Sequence, residues 1–438
     1  MSAARALLLD ALVIAPRRYR MAVLPPDAAS AEAAGAETAI AWALEVRRRS
    51  EDAAQAGELF TRQLAELIRA ALVPGGGDPA FQALVLRSLE PEVEEYVRLA
   101  AKEAADRRVV RSAVDAVAHP GKLRDGVDGG LRDALAKLHE LSKSQAWPEL
   151  RKGMEALGPR LRGDDVSLQA LDRLEKGTAL RQSPAVQRYL ALCEQRGPQA
   201  GTDAALASGR ASARAGDVAE AATVDALRDI AELMNALEGG HRVVRGLRTP
   251  RGFPGAAGKA KDEWDAAIVR EFQGEADVLL LVEVKAAPAA ATPDFTRLAR
   301  GLERLAEAGR EGAWEFASAD GPVRIAADAL RRLQPPGRAL PAHVIYACTA
   351  EPESRPQLLG AATRAVLLAE PASVAFARDL ARGGSASHER LASVWEDLAR
   401  APRLRSALHQ YDTARLVREA MLHPQDLLAA VALSSSRP

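Results

Sequence analysis

Along the first half of the chain, apolar residues recur at spacings of three and four with charges between them. AETAIAWALEVRRRS, AGELFTRQLAELIRAAL and PEVEEYVRLAAKEAADRRVVRSAVDAV show the pattern. That period puts one apolar stripe on each helix, and it predicts helices over residues 1 to about 200. Breaks are expected at Pro25-Pro26, at Pro74 to Gly77, at His119-Pro120-Gly121 and at Gly129-Gly130. No fixed-period repeat occurs, which argues against a solenoid. Gly197 to Arg214 is rich in Gly, Ala and Ser and reads as a linker or a loose helix start. Gly216 to Leu237 reads as a long helix through Val218, Leu227, Ile230, Leu233, Met234 and Leu237, closed by Gly239-Gly240.

The period then changes. HRVVRGLR (241–248), EWDAAIVREF (263–272) and VLLLVEVKA (278–286) read as strands, the third apolar enough to lie inside a sheet. TPRGFPGAAGKAK forms a loop between the first two, and Gln273-Gly274-Glu275 a turn between the second and third. Thr292 and Pro293 suit the N-cap and first position of a helix running to about Gly309 through Phe295, Leu298, Leu302 and Leu305. Residues 310–340 are less regular. HVIYACTA (343–350) reads as a strand, AVLLAE (365–370) as a further strand after a short helix, and the remainder as mostly helical. Helix, three strands, helix, strand is the order of a mixed sheet flanked by helices. The expected division is a helical domain over 1–200, an α/β domain over 205–380 and a helical C-terminal extension over 381–438.

Composition narrows the function classes. The 438 residues suffice for two or three domains with a large core. Lys and Arg number 59, and so do Asp and Glu, so no global basic field draws the protein onto nucleic acid and any such contact must be local. Aromatic residues at 4% leave few stacking surfaces for single strands. Only Cys193 and Cys348 are present, far apart, which excludes a disulfide framework and a multi-cysteine metal site. Cys348, inside an apolar strand, reads as a packing residue, and His119 and His139 as structural. No run of about 18 apolar residues predicts a membrane span. MSAARALLLDALVIAPRRYR reads as an amphipathic helix of a cytoplasmic protein, because Asp10 interrupts its apolar stretch and no small-residue cleavage site accompanies Pro16-Arg17-Arg18. P-loop, dinucleotide, zincin and nucleophile-elbow motifs are all missing from the sequence.

One constellation stands out. Asp265 lies early in the second expected strand, and Glu283-Val284-Lys285 lies in the third. Side chains alternate along a strand, so Glu283 and Lys285 share a face while Val282, Val284 and Ala286 take the other. A hairpin between the two strands brings Asp265 beside Glu283. Charges in a strand of Val and Leu are costly to bury unless paired or metal-bound. Three explanations compete: an ion pair of Glu283 with Lys285, a partly exposed sheet edge, or a hard cation, Mg²⁺ or Mn²⁺, held by Asp265 and Glu283 with water. In the last, Lys285 orients or helps deprotonate the attacking water and stabilises charge on a phosphate.

This order of elements, with Asp265 in one strand and Glu283-x-Lys285 in the next, resembles the PD-(D/E)xK nuclease superfamily, the restriction-endonuclease-like and Holliday-resolvase-like phosphodiesterases. The likeness spans roughly 216–350, under a third of the chain. It implies, behind the α-helical N-terminal region that the spacing predicts, a restriction-endonuclease-like αβββαβ core with a mixed central sheet. It also implies metal binding by Asp265 and Glu283, with Lys285 assisting the hydrolytic water. Many members carry a further Glu in the preceding helix, where this chain has Glu220; an acid near a helix start also serves the helix dipole. No Pro precedes Asp265 and no Gln follows Lys285 on the same face, both departures from the family pattern. Glu263 shares the strand face of Asp265, as a second ligand or a rim residue.

Arg242, Arg245, Arg248, Arg251, Lys259 and Lys261 fall between His241 and Lys261 with no acid until Asp262. Beside a metal-binding strand, such a run suits contacts to a phosphate backbone; otherwise it is a solvated hairpin. The expected function is metal-dependent hydrolysis of DNA in repair, recombination or defence, the helical region recognising substrate or a protein partner. The rival expectation is an inactive nuclease fold serving as a nucleic-acid-binding or assembly scaffold.

Overall fold

The computed structural model describes residues 2–49, 54–122, 129–157, 165–197 and 202–436. They form two compact units. One comprises Met1–Leu64, Gln199–Leu367 and Ala392–Pro438; the other comprises Ala65–Pro198 and Leu368–Leu391. Before residue 200, every regular element among the described residues is a helix, as the three-and-four spacing predicts. The smaller unit is helical throughout, with a core of Val110, Val114, Leu138, Trp147, Leu150, Leu171 and Leu174. His139 is buried there and bonds Asp115 through Nδ1 at 2.9 Å, a structural role.

The larger unit carries an open mixed sheet of seven strands. They are β1 (His241–Arg248), β2 (Glu263–Phe272), β3 (Glu275–Lys285), β4 (Ala313–Phe316), β5 (Val323–Ala326), β6 (Val344–Cys348) and β7 (Met421–Leu422). β1, β2 and β3 pair antiparallel in sequence order. β3 then forks on its far edge. Its start pairs parallel with β5 at Ala276, and its end pairs parallel with β6 from Leu281 to Lys285. β4 pairs antiparallel with β5, and β7 parallel with β6. β3 is therefore the central strand, which is why its sequence is almost continuously apolar and its residues 278–283 are all buried. Gln273 and Gly274, at φ +52° and +79°, close the two-residue β2–β3 hairpin with the backbone twist that matches flanking strands.

Helices cover both faces. Against one pack Ala3–Ile14, the second half of Asp203–Leu237 and Pro424–Ser435, through Leu8, Leu227, Ile230, Met234 and Val431 onto Ile268, Leu280, Val282 and Ile345. Against the other packs Ala291–Leu305, through Phe295, Leu298, Leu302 and Leu305 onto Trp264, Ala267, Leu281 and Tyr346. The apolar start of the chain is thus part of the sheet's core. Among the described residues, no helix is long and apolar enough to cross a membrane.

Several boundaries differ from expectation. The long helix starts at Asp203, capped by the Thr202 hydroxyl accepting from the Ala205 N–H, so most of the small-residue stretch is helical. Its buried face runs through Ala219, Thr223, Val224 and Ala226, whereas Val218 and Leu237 are exposed. The helix after β3 begins at Ala291 behind a 3₁₀ turn at Pro288–Ala290, so Thr292 and Pro293 lie within its first turn, and it ends at Leu305. Residues 310–340 hold β4, β5 and a short helix at Ala327–Arg331. AVLLAE is not a strand; it lies mostly within helix Ala361–Ala369. A short apolar run carries no period of its own, and the preceding Ala361-Ala362 continues it as helix. β7, two residues long, is too short to leave a sequence pattern. Cys348 is fully buried.

The loop before β2 is locked against the helix Ala291–Leu305. The Lys261 N–H donates to the Arg297 carbonyl at 3.0 Å. A Cβ on Gly301 would stand 2.7 Å from the Lys261 carbonyl oxygen, so only glycine permits this approach. Gly301→Ala is expected to destabilise the protein by about 1–3 kcal/mol, read as a lower urea midpoint; an unchanged midpoint would show that this contact is not tight.

Candidate active site

Asp265 lies beside the Glu283–Lys285 pair at the C-terminal end of β3, where the β2–β3 ladder stops. Ala266 pairs with Val282, the last register pair toward that end. Beyond it the Asp265 side chain takes over from the backbone: its Oδ2 accepts the Val284 N–H at 2.7 Å. β1 bends beside this point. Gly246, at φ +58°, lies between the pairs Arg245–Ala266 and Leu247–Trp264. That left-handed conformation lets Val244 and Leu247, three apart, face the same core.

Glu283 is 2% exposed and is held by two ammonium groups. Lys285 Nζ and Lys261 Nζ each donate to its Oε1 at 2.6 Å. Lys285 Nζ also lies 3.1 Å from Asp294 Oδ2, in the first turn of the helix Ala291–Leu305. The result is a chain of alternating charge, Lys261–Glu283–Lys285–Asp294. Two of the three explanations left open by the strand pattern now have observations: Glu283 is paired, and it is not on a sheet edge, since β3 has neighbours on both sides.

Two polar atoms of this cluster remain buried without a hydrogen-bond partner: Glu283 Oε2 and the Tyr346 hydroxyl. Tyr346 is fully buried on β6, in register with Glu283. Burial, then the Asp265 charge, pushes Glu283 up to about 7 against the pull of Lys261 and Lys285. Lys285 is shifted up despite its burial, because Glu283 and then Asp294 favour its charged form. Glu220 is half-buried on the long helix and is shifted up by burial, then by Asp265 and Asp217. Glu220 therefore belongs electrostatically to the same cluster.

A hard cation needs oxygen ligands, and Mg²⁺ is commonly bound through one or two carboxylates with several waters retained. Asp265 and the unpartnered Glu283 Oε2 meet that description. Among the described residues no group of three or more His, Cys, Asp or Glu could hold a metal ion.

The six basic residues before β2 do not form one surface. Arg242 pairs with Glu271 at 2.7 Å and Arg248 with Glu263 at 3.0 Å, both across the β1–β2 ladder. Arg245 is held by Asp320 through its guanidinium and its backbone N–H. Lys261 is 7% exposed and belongs to the carboxylate cluster instead. Arg251 and Lys259 are exposed and have no ion-pair partner among the described residues. A run without acids along the sequence is thus surrounded by acids in space. Glu263 is engaged by Arg248 at the rim. Asp294, Tyr346 and the inward role of Lys261 left no sequence signal beyond their residue types, since each depends on a contact from another element.

The raised Glu283 carboxyl fixes a pH dependence. A folded acid with a pKa near 7 keeps its proton after the unfolded chain, near 4.5, has lost it. The native state then binds more protons across that window, and stability falls as pH rises through it. With a chelator present, the urea stability of wild type minus that of Glu283→Gln is expected to decline between those two pH values and level off above. A flat difference would mean that Glu283 is ionised throughout.

Comparisons with protein-family models, with curated proteins and with solved structures return no match.

Proposed function

We propose that this chain is a metal-dependent phosphodiesterase acting on DNA, with the αβββαβ part of the larger unit as a restriction-endonuclease-like core. The observation that carries the reading is the convergence of Asp265, Glu283 and Lys285 at one end of the central strand, with Glu283 Oε2 buried and unpartnered beside them. Asp265 and Glu283 would hold Mg²⁺ or Mn²⁺, with Glu220 as an outer carboxylate. When bound, the ion supplies positive charge against phosphate oxygens and lowers the pKa of water. Lys285 keeps its ammonium on the Glu283 face, where it orients water and donates to a phosphate oxygen in the transition state. Asp265 is oriented by the Val284 N–H, which donates to its Oδ2.

A second reading is favoured by one specific feature. Glu283 Oε1 is already shared by two lysines, which supply the neutralising charge that a metal ion would otherwise bring. In that reading the fold is an inactive scaffold for nucleic acid or protein partners. The two separate in one experiment. Cleavage of duplex, single-stranded and branched DNA is assayed with Mg²⁺ or Mn²⁺, alongside calorimetric titration with Mn²⁺. Asp265→Asn is expected to abolish both cleavage and Mn²⁺ binding. Lys285→Ala is expected to abolish cleavage and keep Mn²⁺ binding, because lysine is no ligand here. Neither binding nor cleavage by the wild type would leave the scaffold reading.

For DNA contact, the exposed Arg251 and Lys259 carry the reading better than the strand arginines, whose charges are already matched. Arg251→Ala with Lys259→Ala is expected to lower the slope of log affinity against log salt by about 0.9 per lost phosphate contact. Arg242→Ala is expected to change it little. Equal effects would return the strand arginines to the binding surface.

A further inference from the structure

We propose that Asp294 is a positioning residue for Lys285, an inference that rests on the nuclease reading for its catalytic consequence and on the structure alone for its geometry. An acid in the first turn of a helix ordinarily complements the helix dipole. Asp294 is placed for more than that. Its helix, Ala291–Leu305, is anchored against the sheet by Ala291, Phe295 and Leu298, all buried. This anchoring sets the Asp294 carboxylate 3.1 Å from the Lys285 ammonium. The Asp294 side chain is 15% exposed and that of Lys285 17%, so water competes weakly for either.

The arrangement restricts where the ammonium can go. A lysine ammonium has three N–H donors and turns freely about its last bond. One donor is taken by Glu283 Oε1 at 2.6 Å, and Asp294 draws the group toward the helix. With Glu283 alone, Lys285 would be free to pivot about one oxygen that it already shares with Lys261. Asp294 supplies the second fixed point. The fully buried Tyr346 lies in register with Glu283 on the neighbouring strand. The remaining N–H of Lys285 is left for a water or a phosphate oxygen. Loss of such a support typically costs roughly ten- to a hundredfold in rate.

Asp294→Asn tests this with two readouts. Heteronuclear NMR of the lysine ammonium groups reports whether Lys285 is held, its signal being assigned by its loss in Lys285→Met. Steady-state cleavage of DNA with Mn²⁺ reports the consequence. Asp294→Asn is expected to lose or strongly shift the Lys285 ammonium signal. It is also expected to lower kcat roughly ten- to a hundredfold, with KM for DNA and Mn²⁺ affinity unchanged. An unaltered ammonium signal, or an unaltered kcat in a cleaving enzyme, overturns the proposal. If the wild type cleaves no DNA, the nuclease reading fails by itself, and the ammonium signal alone still decides whether Asp294 holds Lys285. Asp294→Ser replaces Asp294→Asn, with the same readouts, should the latter not fold.

Discussion

The larger unit is organised around a carboxylate buried in its central strand. Glu283 is itself buried at the end of the buried run 278–283 of β3, and an uncompensated charge there would be very costly. Compensation comes from Lys285, two residues along the same strand, and from Lys261, in the loop before β2. Removing one partner of a buried ion pair typically costs about 3–5 kcal/mol, because the other charge is stranded. The loop and the strand are therefore tied to one another through a single oxygen atom, and the helix after the strand joins them through Asp294 at the Lys285 ammonium.

That tie explains why the surrounding backbone is so closely specified. Lys261 reaches inward only because its own backbone is held on the helix Ala291–Leu305, by Arg297 and by the absence of a side chain at Gly301. The same helix delivers Asp294 to Lys285. On the opposite flank, Asp265 substitutes for a ladder partner of β3 at the point where the two strands part. The cluster is consequently assembled from β2, β3, the helix and β6. Asp265, Glu283, Lys285 and Asp294 sit on regular elements, and Lys261 on a loop whose backbone is held against the helix. Such placement suits groups that must keep fixed geometry.

The candidate site was partly legible because part of it is local. Glu283 and Lys285 are two apart in a strand, and alternation alone puts them on one face. The two-residue turn at Gln273-Gly274 sets the register only as far as Val269–Val278, and a one-residue shift between Val269 and Ile268, invisible in the sequence, then brings Asp265 level with Glu283. Glu220 could be linked to the cluster only through the family likeness, and its coupling to Asp265 became visible once the helix and sheet were in place. Lys261 reads from the sequence as a phosphate-contacting cation, because nothing in its neighbourhood along the chain shows that it turns inward. Arg245 was grouped with it for the same reason, although its partner Asp320 is 75 residues away.

By itself, the sequence determined the helical character of the first 200 residues, the positions of β1, β2, β3 and β6, and the shared face of Glu283 and Lys285. Each of these follows from spacing within one segment, where periodicity and turn chemistry act over a few residues. The fork of β3 between β5 and β6, the two-residue β7, the helical state of AVLLAE and the pairing of each arginine were decided only by tertiary structure. So was the conversion of Lys261 from a presumed phosphate contact into the counter-ion of Glu283. These depend on which distant segments come together, and burial sets their energies, since an ammonium and a carboxylate interact far more strongly once both are withdrawn from water.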